Sequence, residues 1–147
     1  MNLQAIIFTG IQGSGKSTFY KDSFFSTHVR ISLDLLKTRR RELRFIQTCL
    51  ETGANFVIDN TNITAEHRRK YIDISKGAEY EIIGYFFESD LDSALSRNRL
   101  RQGKERIPEA GVRAMYKKLE IPKKEEGFDM LYKVRIGNEG WSVEEIG

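Results

Sequence analysis

The sequence predicts an α/β fold in three layers, with a mainly parallel central sheet of about five strands between helices. Two observations predict it. Short apolar runs alternate with longer segments of helical period along all 147 residues. The first apolar run also ends in a glycine-rich loop that leads straight into a helix.

Leu3 to Phe8 is the first strand, bounded by Thr9-Gly10, and a helix follows over Lys16 to Ser23. Val29 to Ile31 is the second strand. Leu36, Leu43, Ile46 and Leu50 recur with helical spacing, so Leu33 to Glu51 reads as one long helix stopped by Gly53. Phe56 to Ile58 is a third buried run, ending in Asp59, and Thr64 to Lys76 is a helix closed by Gly77 at the C′ position. Ile82 to Phe87 is nearly all apolar, as a strand covered on both faces requires. Ser89-Asp90-Leu91-Asp92 then opens a helix in capping-box fashion that runs to about Gln102, where Gly103 releases it. Pro108 suits the first turn of a helix through Leu119. Tyr132 to Ile136 is a last strand, with Asn138-Glu139-Gly140 as a turn into Trp141 to Val143. There is no repeat and no low-complexity linker, so the expectation is one domain over 1–147, with a lid region at about 96–108.

The apolar fraction of 39% and charged fraction of 31% are those of an ordinary globular chain, which excludes a disordered tail and a membrane protein. The net charge is only +3, yet Lys and Arg bunch in Lys37 to Arg44 and again in Arg97 to Arg106. Such clusters suit anionic ligands, and they also suit solvated helix faces. Cys49 is the single cysteine and falls among apolar-periodic neighbours, so no disulfide is expected and a reducing cytoplasm is the natural home. Met1 to Phe8 lacks a charged start and a cleavage site, and no apolar run is long enough for a bilayer.

Gly10-Ile11-Gln12-Gly13-Ser14-Gly15-Lys16-Ser17 matches G-x-x-x-x-G-K-[ST] without a substitution, between a buried strand and a helix. Gly10, Gly13, Ser14 and Gly15 let successive N–H groups turn toward phosphate oxygens, and the helix N-terminus adds positive charge. Lys16 supplies an ammonium to the β- and γ-phosphates of ATP or another nucleoside triphosphate, and Ser17 supplies a hydroxyl ligand to Mg²⁺. Thr18 contacts the α-phosphate or packs. This is the phosphate loop of the P-loop NTPases and kinases, and it leaves the acceptor open.

Asp34 follows the second strand, at the carboxyl edge of the sheet, where a carboxylate is placed to take the proton of an attacking hydroxyl. Ser32 and Asp34 equally suit a helix start, so a capping role competes. Asp59 ends the third strand, where P-loop proteins carry an acidic residue for Mg²⁺ or its water. Asn60, Thr61 and Asn62 continue that polar edge, with a turn of local caps as the alternative. Arg97 and Arg101 are four apart on one expected helix, hence on one face, just before Gln102-Gly103-Lys104. That is how a lid carrying phosphate-binding arginines would look, and an exposed basic face would look the same. Arg99 points elsewhere and reads as surface. Lys37 lies one turn from Asp34, and Arg39 to Arg41 follow, so cations flank an acceptor placed at Asp34.

Taken in order, these segments resemble the kinase domain of the polynucleotide 5′-hydroxyl kinases, both the phage repair enzyme and the animal kinase-phosphatase. The carriers are Gly10 to Thr18, Asp34 after Val29 to Leu33, Ile58-Asp59-Asn60-Thr61-Asn62 with Arg68 behind it, Arg97-Asn98 with Arg101, and Ile107-Pro108. Met115-Tyr116 and Glu125-Glu126-Gly127-Phe128 are similar too. The resemblance implies a kinase that transfers the γ-phosphoryl group of ATP, with Mg²⁺, to the 5′-hydroxyl of a nucleic acid. It implies Asp34 as general base, Lys16 and Ser17 on the triphosphate and metal, and Arg101 with Arg97 as lid arginines. Asp59 joins the metal, and Asp34, Lys37, Asp59 and Asn62 border the substrate. Lys37 departs from the phage enzyme's arginine and cannot make the same bidentate contact. With no room for a phosphatase before Gly147, any phosphatase or ligase partner is expected to be a separate chain.

Two other readings remain. A P-loop kinase acting on a nucleoside, sugar or antibiotic shares the same core, and a nucleotide switch would hydrolyse ATP without transfer.

Overall fold

The computed structural model describes residues 2–103, 106–137 and 140–147. Six strands make one sheet: β1 (Gln4–Thr9), β2 (Val29–Ile31), β3 (Phe56–Ile58), β4 (Glu81–Phe87), β5 (Met130–Gly137) and β6 (Gly140–Glu145). Their order is β2-β3-β1-β4-β5-β6. The first five pair in parallel, and β6 adds an antiparallel edge, one strand more than expected. The expected turn at Asn138-Glu139 lies outside the described residues.

Alternation along the strands divides the core. Ile31, Phe56, Ile7 and Ile82 face α3 (Arg39–Thr52) and α4 (Ala65–Gly77), burying Ile46, Cys49, Tyr71 and Ile72 with them. Val57, Ile6, Ile83 and Val134 face α1 (Lys16–Ser23), which contributes Phe19 and Tyr20. A smaller cluster joins Ile11 to α5 (Leu91–Arg99) and α6 (Glu109–Lys118) through Ala94, Leu95 and Val112. The sheet is thus covered on both faces, as its apolar strands require. No described helix is long and apolar enough to cross a membrane.

Three helix boundaries depart from the sequence pattern. The long helix expected over Leu33–Glu51 is broken into α2 (Leu33–Leu36) and α3. Lys37 ends α2 with φ 78°, and the Thr38 side chain restarts the chain by accepting the Arg41 N–H at 3.1 Å. A threonine cap inside the apolar-periodic stretch overrode the periodicity. Gly53 does close α3 in the left-handed conformation, with φ 69°. At the end of α4 Gly77 is the last helical residue rather than C′, and Glu79 takes the positive φ, 64°.

The third departure bears on the lid. α5 stops at Arg99, not near Gln102, so Arg97 and Arg101 do not share a helix face. The Asn98 side chain ends it: Nδ2 donates to Ile107 O at 2.7 Å and Oδ1 accepts the Ile107 N–H at 3.0 Å. The region expected to form a lid is thus clasped between Asn98 and Ile107, and Lys104 within it lies outside the described residues.

Candidate functional site

β1 lies between β3 and β4, where the strand order reverses and an open α/β sheet leaves a crevice at its carboxyl edge. The loop leaving β1 enters that crevice. Gly13 (φ 84°) and Gly15 (φ 96°) adopt the left-handed conformations that turn the loop, and a Cβ at Gly13 would stand 2.8 Å from the Ala94 carbonyl oxygen. α1 begins at Lys16, so its free N–H groups point into the loop. Ser14 is buried, and its hydroxyl has no hydrogen-bond partner among the described residues.

Lys16 is 8% exposed. Its Nζ donates to Gly10 O and Ile11 O, both at 3.0 Å, which folds the ammonium over the loop. Burial lowers its pKa to about 8, although the nearby Asp59 pulls the other way. An anion in the loop would relieve that cost, so the site is built for negative charge. Thr18 is exposed on the first turn of α1.

The loop after β3 forms the opposite wall. Gly10 N–H donates to Thr61 O at 2.9 Å, and the Asn62 amide donates to Phe8 O at 2.8 Å, which ties this loop to β1. Asn62 was expected beside a substrate; it is instead buried, with φ 46°, its side chain spent on the backbone. Asp59 is buried, and its Oδ2 accepts from Ser17 Oγ at 3.1 Å and from Arg30 Nε at 2.8 Å. Arg30 had no role in the sequence reading. The signal available was a charged residue in the middle of a three-residue strand.

Asn60 turns away from the loop. Its Oδ1 accepts the Leu33 N–H at 2.9 Å and its Nδ2 donates to Glu42 Oε2 at 2.7 Å, while Tyr71 OH donates to Glu42 Oε1 at 2.9 Å. Burial, with Glu42 adding to it, pushes the Tyr71 hydroxyl far above its usual range, so it stays a donor. Asn60 thus caps α2 in place of Ser32, which makes no side-chain cap, and Asp34 is released from capping. The Asp34 carboxylate is exposed and accepts no hydrogen bond from the described residues.

Lys16, Ser17, Arg30, Asp34, Asp59 and Arg101 line one cavity of about 150 Å³. Arg97 lines a different and larger cleft of about 620 Å³, with Phe86, Asp90, Tyr116, Arg135 and Ile136. Both open beside the phosphate loop, since Ile136 also approaches Gly15. Lys37 lines neither and is exposed at the end of α2. Glu125 to Phe128 are not part of either cavity; Glu126 pairs with Arg68 and Phe128 enters the core.

The oxygen donors fit magnesium. Ser17 Oγ and the Asp59 carboxylate, 3.1 Å apart, are hard oxygen donors that would suit it, and no group of three or more His, Cys, Asp or Glu able to hold a metal occurs among the described residues. Phosphate oxygens and water would complete the shell, as Mg²⁺ prefers.

A phosphate loop at the switch point of a parallel sheet, with an arginine-bearing loop folded beside it, is the architecture of the P-loop kinases, and this chain is of that class. It belongs to the AAA domain family, whose model matches residues 6–122. The chain is 29% identical over 129 residues to a bifunctional polynucleotide phosphatase/kinase of Schizosaccharomyces pombe, covering 85% of this chain and 32% of that protein. It therefore spans about a third of that relative's length. It is 26% identical over 144 residues to an L-seryl-tRNA(Sec) kinase of Methanococcus maripaludis, covering 85% of this chain and 56% of that one. A gluconokinase from Sinorhizobium meliloti 1021 superposes with TM-score 0.65 at 17% identity, over 92% of this chain and 83% of its own, a likeness of fold alone.

Proposed function

We propose that the chain transfers the γ-phosphoryl group of ATP, with Mg²⁺, to the 5′-hydroxyl end of a nucleic acid. The observation that carries this reading is the meeting of Asp34 with Lys16, Ser17, Asp59 and Arg101 around one small cavity. Lys16 and the loop amides hold the triphosphate, and Ser17 and Asp59 hold the metal. Asp34, with its carboxylate unspent, accepts the proton of the attacking hydroxyl. Arg101 faces the transferred group, and Arg97 lies on the side of the larger cleft, whose size suits the donor nucleoside. The small cavity admits little more than the hydroxyl-bearing end of an acceptor. The rest of a polymer would cross the surface nearby, where Lys37, Arg40, Arg41 and Arg44 are exposed. The fission-yeast relative supports a nucleic acid acceptor.

The test is transfer of label from γ-labelled ATP to short 5′-OH DNA and RNA oligonucleotides, with Asp34→Asn alongside. Label at the 5′ end that falls by roughly a hundredfold or more in Asp34→Asn, and falls steeply with added salt, supports the reading. A second reading, a small-molecule hydroxyl as acceptor, is favoured by the tightness of the same cavity. It predicts retained ATP binding, no polymer labelling and little salt dependence.

A further inference from the structure

Ser17, Asp59 and Arg30 form a closed triangle. Ser17 Oγ donates to Asp59 Oδ2 at 3.1 Å, Arg30 Nε donates to the same oxygen at 2.8 Å, and Arg30 Nη2 donates to Ser17 Oγ at 3.1 Å. Arg30 reaches this point because of its register. It pairs with Val57, which pairs with Ile6 and through it Ile83, so these side chains lie in one row on the face toward α1. From the edge strand a long side chain on that face extends to the first turn of α1 and the end of β3. There it meets two groups that, in the reading above, are the protein's ligands for a divalent cation.

We infer that Arg30 is a placeholder cation for the metal site, which makes divalent-cation binding depend on the nucleotide. The Asp59 side chain is 2% exposed, and a carboxylate so buried requires a counter-charge. Among the described residues Arg30 is its one ion-pair partner, since Lys16 Nζ is held by the carbonyls of Gly10 and Ile11. In that reading the metal's protein ligands are Ser17 and Asp59, and the guanidinium is bonded to both. A free divalent cation must displace a bonded positive charge for little coordination in return. A triphosphate changes the balance, because it supplies further oxygens and negative charge beside the same two ligands. The displaced guanidinium, still anchored on β2, remains in the cavity it shares with Asp34. Loading is therefore ordered: the metal enters with the nucleotide, and the site stays neutralised until then.

This inference rests on Ser17 and Asp59 being the metal ligands, and the experiment separates the two. Mn²⁺ binding is measured by electron paramagnetic resonance on nucleotide-free protein, for wild type, Arg30→Met and Arg30→Lys, together with the rise in melting temperature that Mn²⁺ produces. Circular dichroism checks that each variant is folded. Arg30→Met is expected to bind Mn²⁺ alone roughly tenfold or more tightly than wild type and to gain melting temperature from it, because binding to the folded state stabilises it. Arg30→Lys keeps the charge but cannot bridge both ligands, and falls between. Equal or weaker Mn²⁺ binding in both folded variants overturns the placeholder role. Asp59→Asn is measured in parallel with Mn²⁺ and ATP together. Weaker Mn²⁺ binding there upholds the metal site whatever Arg30 does; unchanged binding overturns the metal site and the inference with it.

Discussion

Arg68 and Glu126, 58 residues apart in sequence, meet as a bidentate pair, with Nε to Oε1 at 2.8 Å and Nη2 to Oε2 at 2.9 Å. Arg68 is fully buried, and its remaining arm donates from Nη1 to Asn62 O at 2.8 Å. One guanidinium thus fastens the segment before β5 to the loop that carries Asp59. Arg68→Met leaves Glu126 and the Asn62 carbonyl without their donor and is expected to cost about 3–5 kcal/mol in urea denaturation. Arg68→Met with Glu126→Leu should recover part of that loss. A single-variant loss below about 1 kcal/mol would mean that the pair is not sealed from water.

Lys16 predicts a pH dependence whose sign follows from its lowered pKa. Below about pH 8 the lysine is protonated folded and unfolded, and the folded state carries the full burial cost. Between about 8 and 10.5 the unfolded chain binds more protons, so this contribution to stability rises with pH and then levels off. Lys16→Met is expected to stabilise the nucleotide-free protein at neutral pH by on the order of 2 kcal/mol and to abolish ATP binding. The wild-type minus variant difference in urea midpoint should shrink from pH 7 to pH 10.5, and wild-type ATP affinity should fall above about pH 8.

Gly13→Ala places a Cβ 2.8 Å from the Ala94 carbonyl oxygen at φ 84°. The neighbour is helix backbone and cannot swing aside. Stability is expected to drop by about 1–3 kcal/mol, and ATP affinity by more than tenfold, because the loop amides leave their positions. Thermal denaturation and nucleotide titration measure the two effects.

Asn60→Ala removes the cap on the Leu33 N–H and leaves Glu42 without its amide donor. The expected cost is about 1–2 kcal/mol, with kcat for phosphoryl transfer reduced several-fold and KM for ATP nearly unchanged, since the Asn60 side chain bonds Leu33 of α2, which carries Asp34, and Glu42 of α3. A rise in KM for ATP at constant kcat would show that Asn60 serves the nucleotide instead.

The sequence by itself determined the phosphate loop, the five parallel strands and the candidates Asp34 and Asp59. Each rests on short-range information: a glycine pattern between a strand and a helix, apolar runs, and carboxylates at strand ends. What only the tertiary structure decided involves partners distant in the chain. Arg30 reaches Asp59 at the end of the neighbouring strand, Glu42 and Tyr71 hold Asn60 from different helices, and Glu126 claims Arg68. Asn62 turned inward for the same reason, because a carbonyl on β1 stood within reach. The helix expected through Leu33–Glu51 broke at Lys37, and the helix expected to carry both Arg97 and Arg101 ended at Arg99 when Asn98 clasped Ile107. Helical period records which face is apolar; where a helix stops depends on which polar group, near or far, satisfies its last free backbone donors and acceptors.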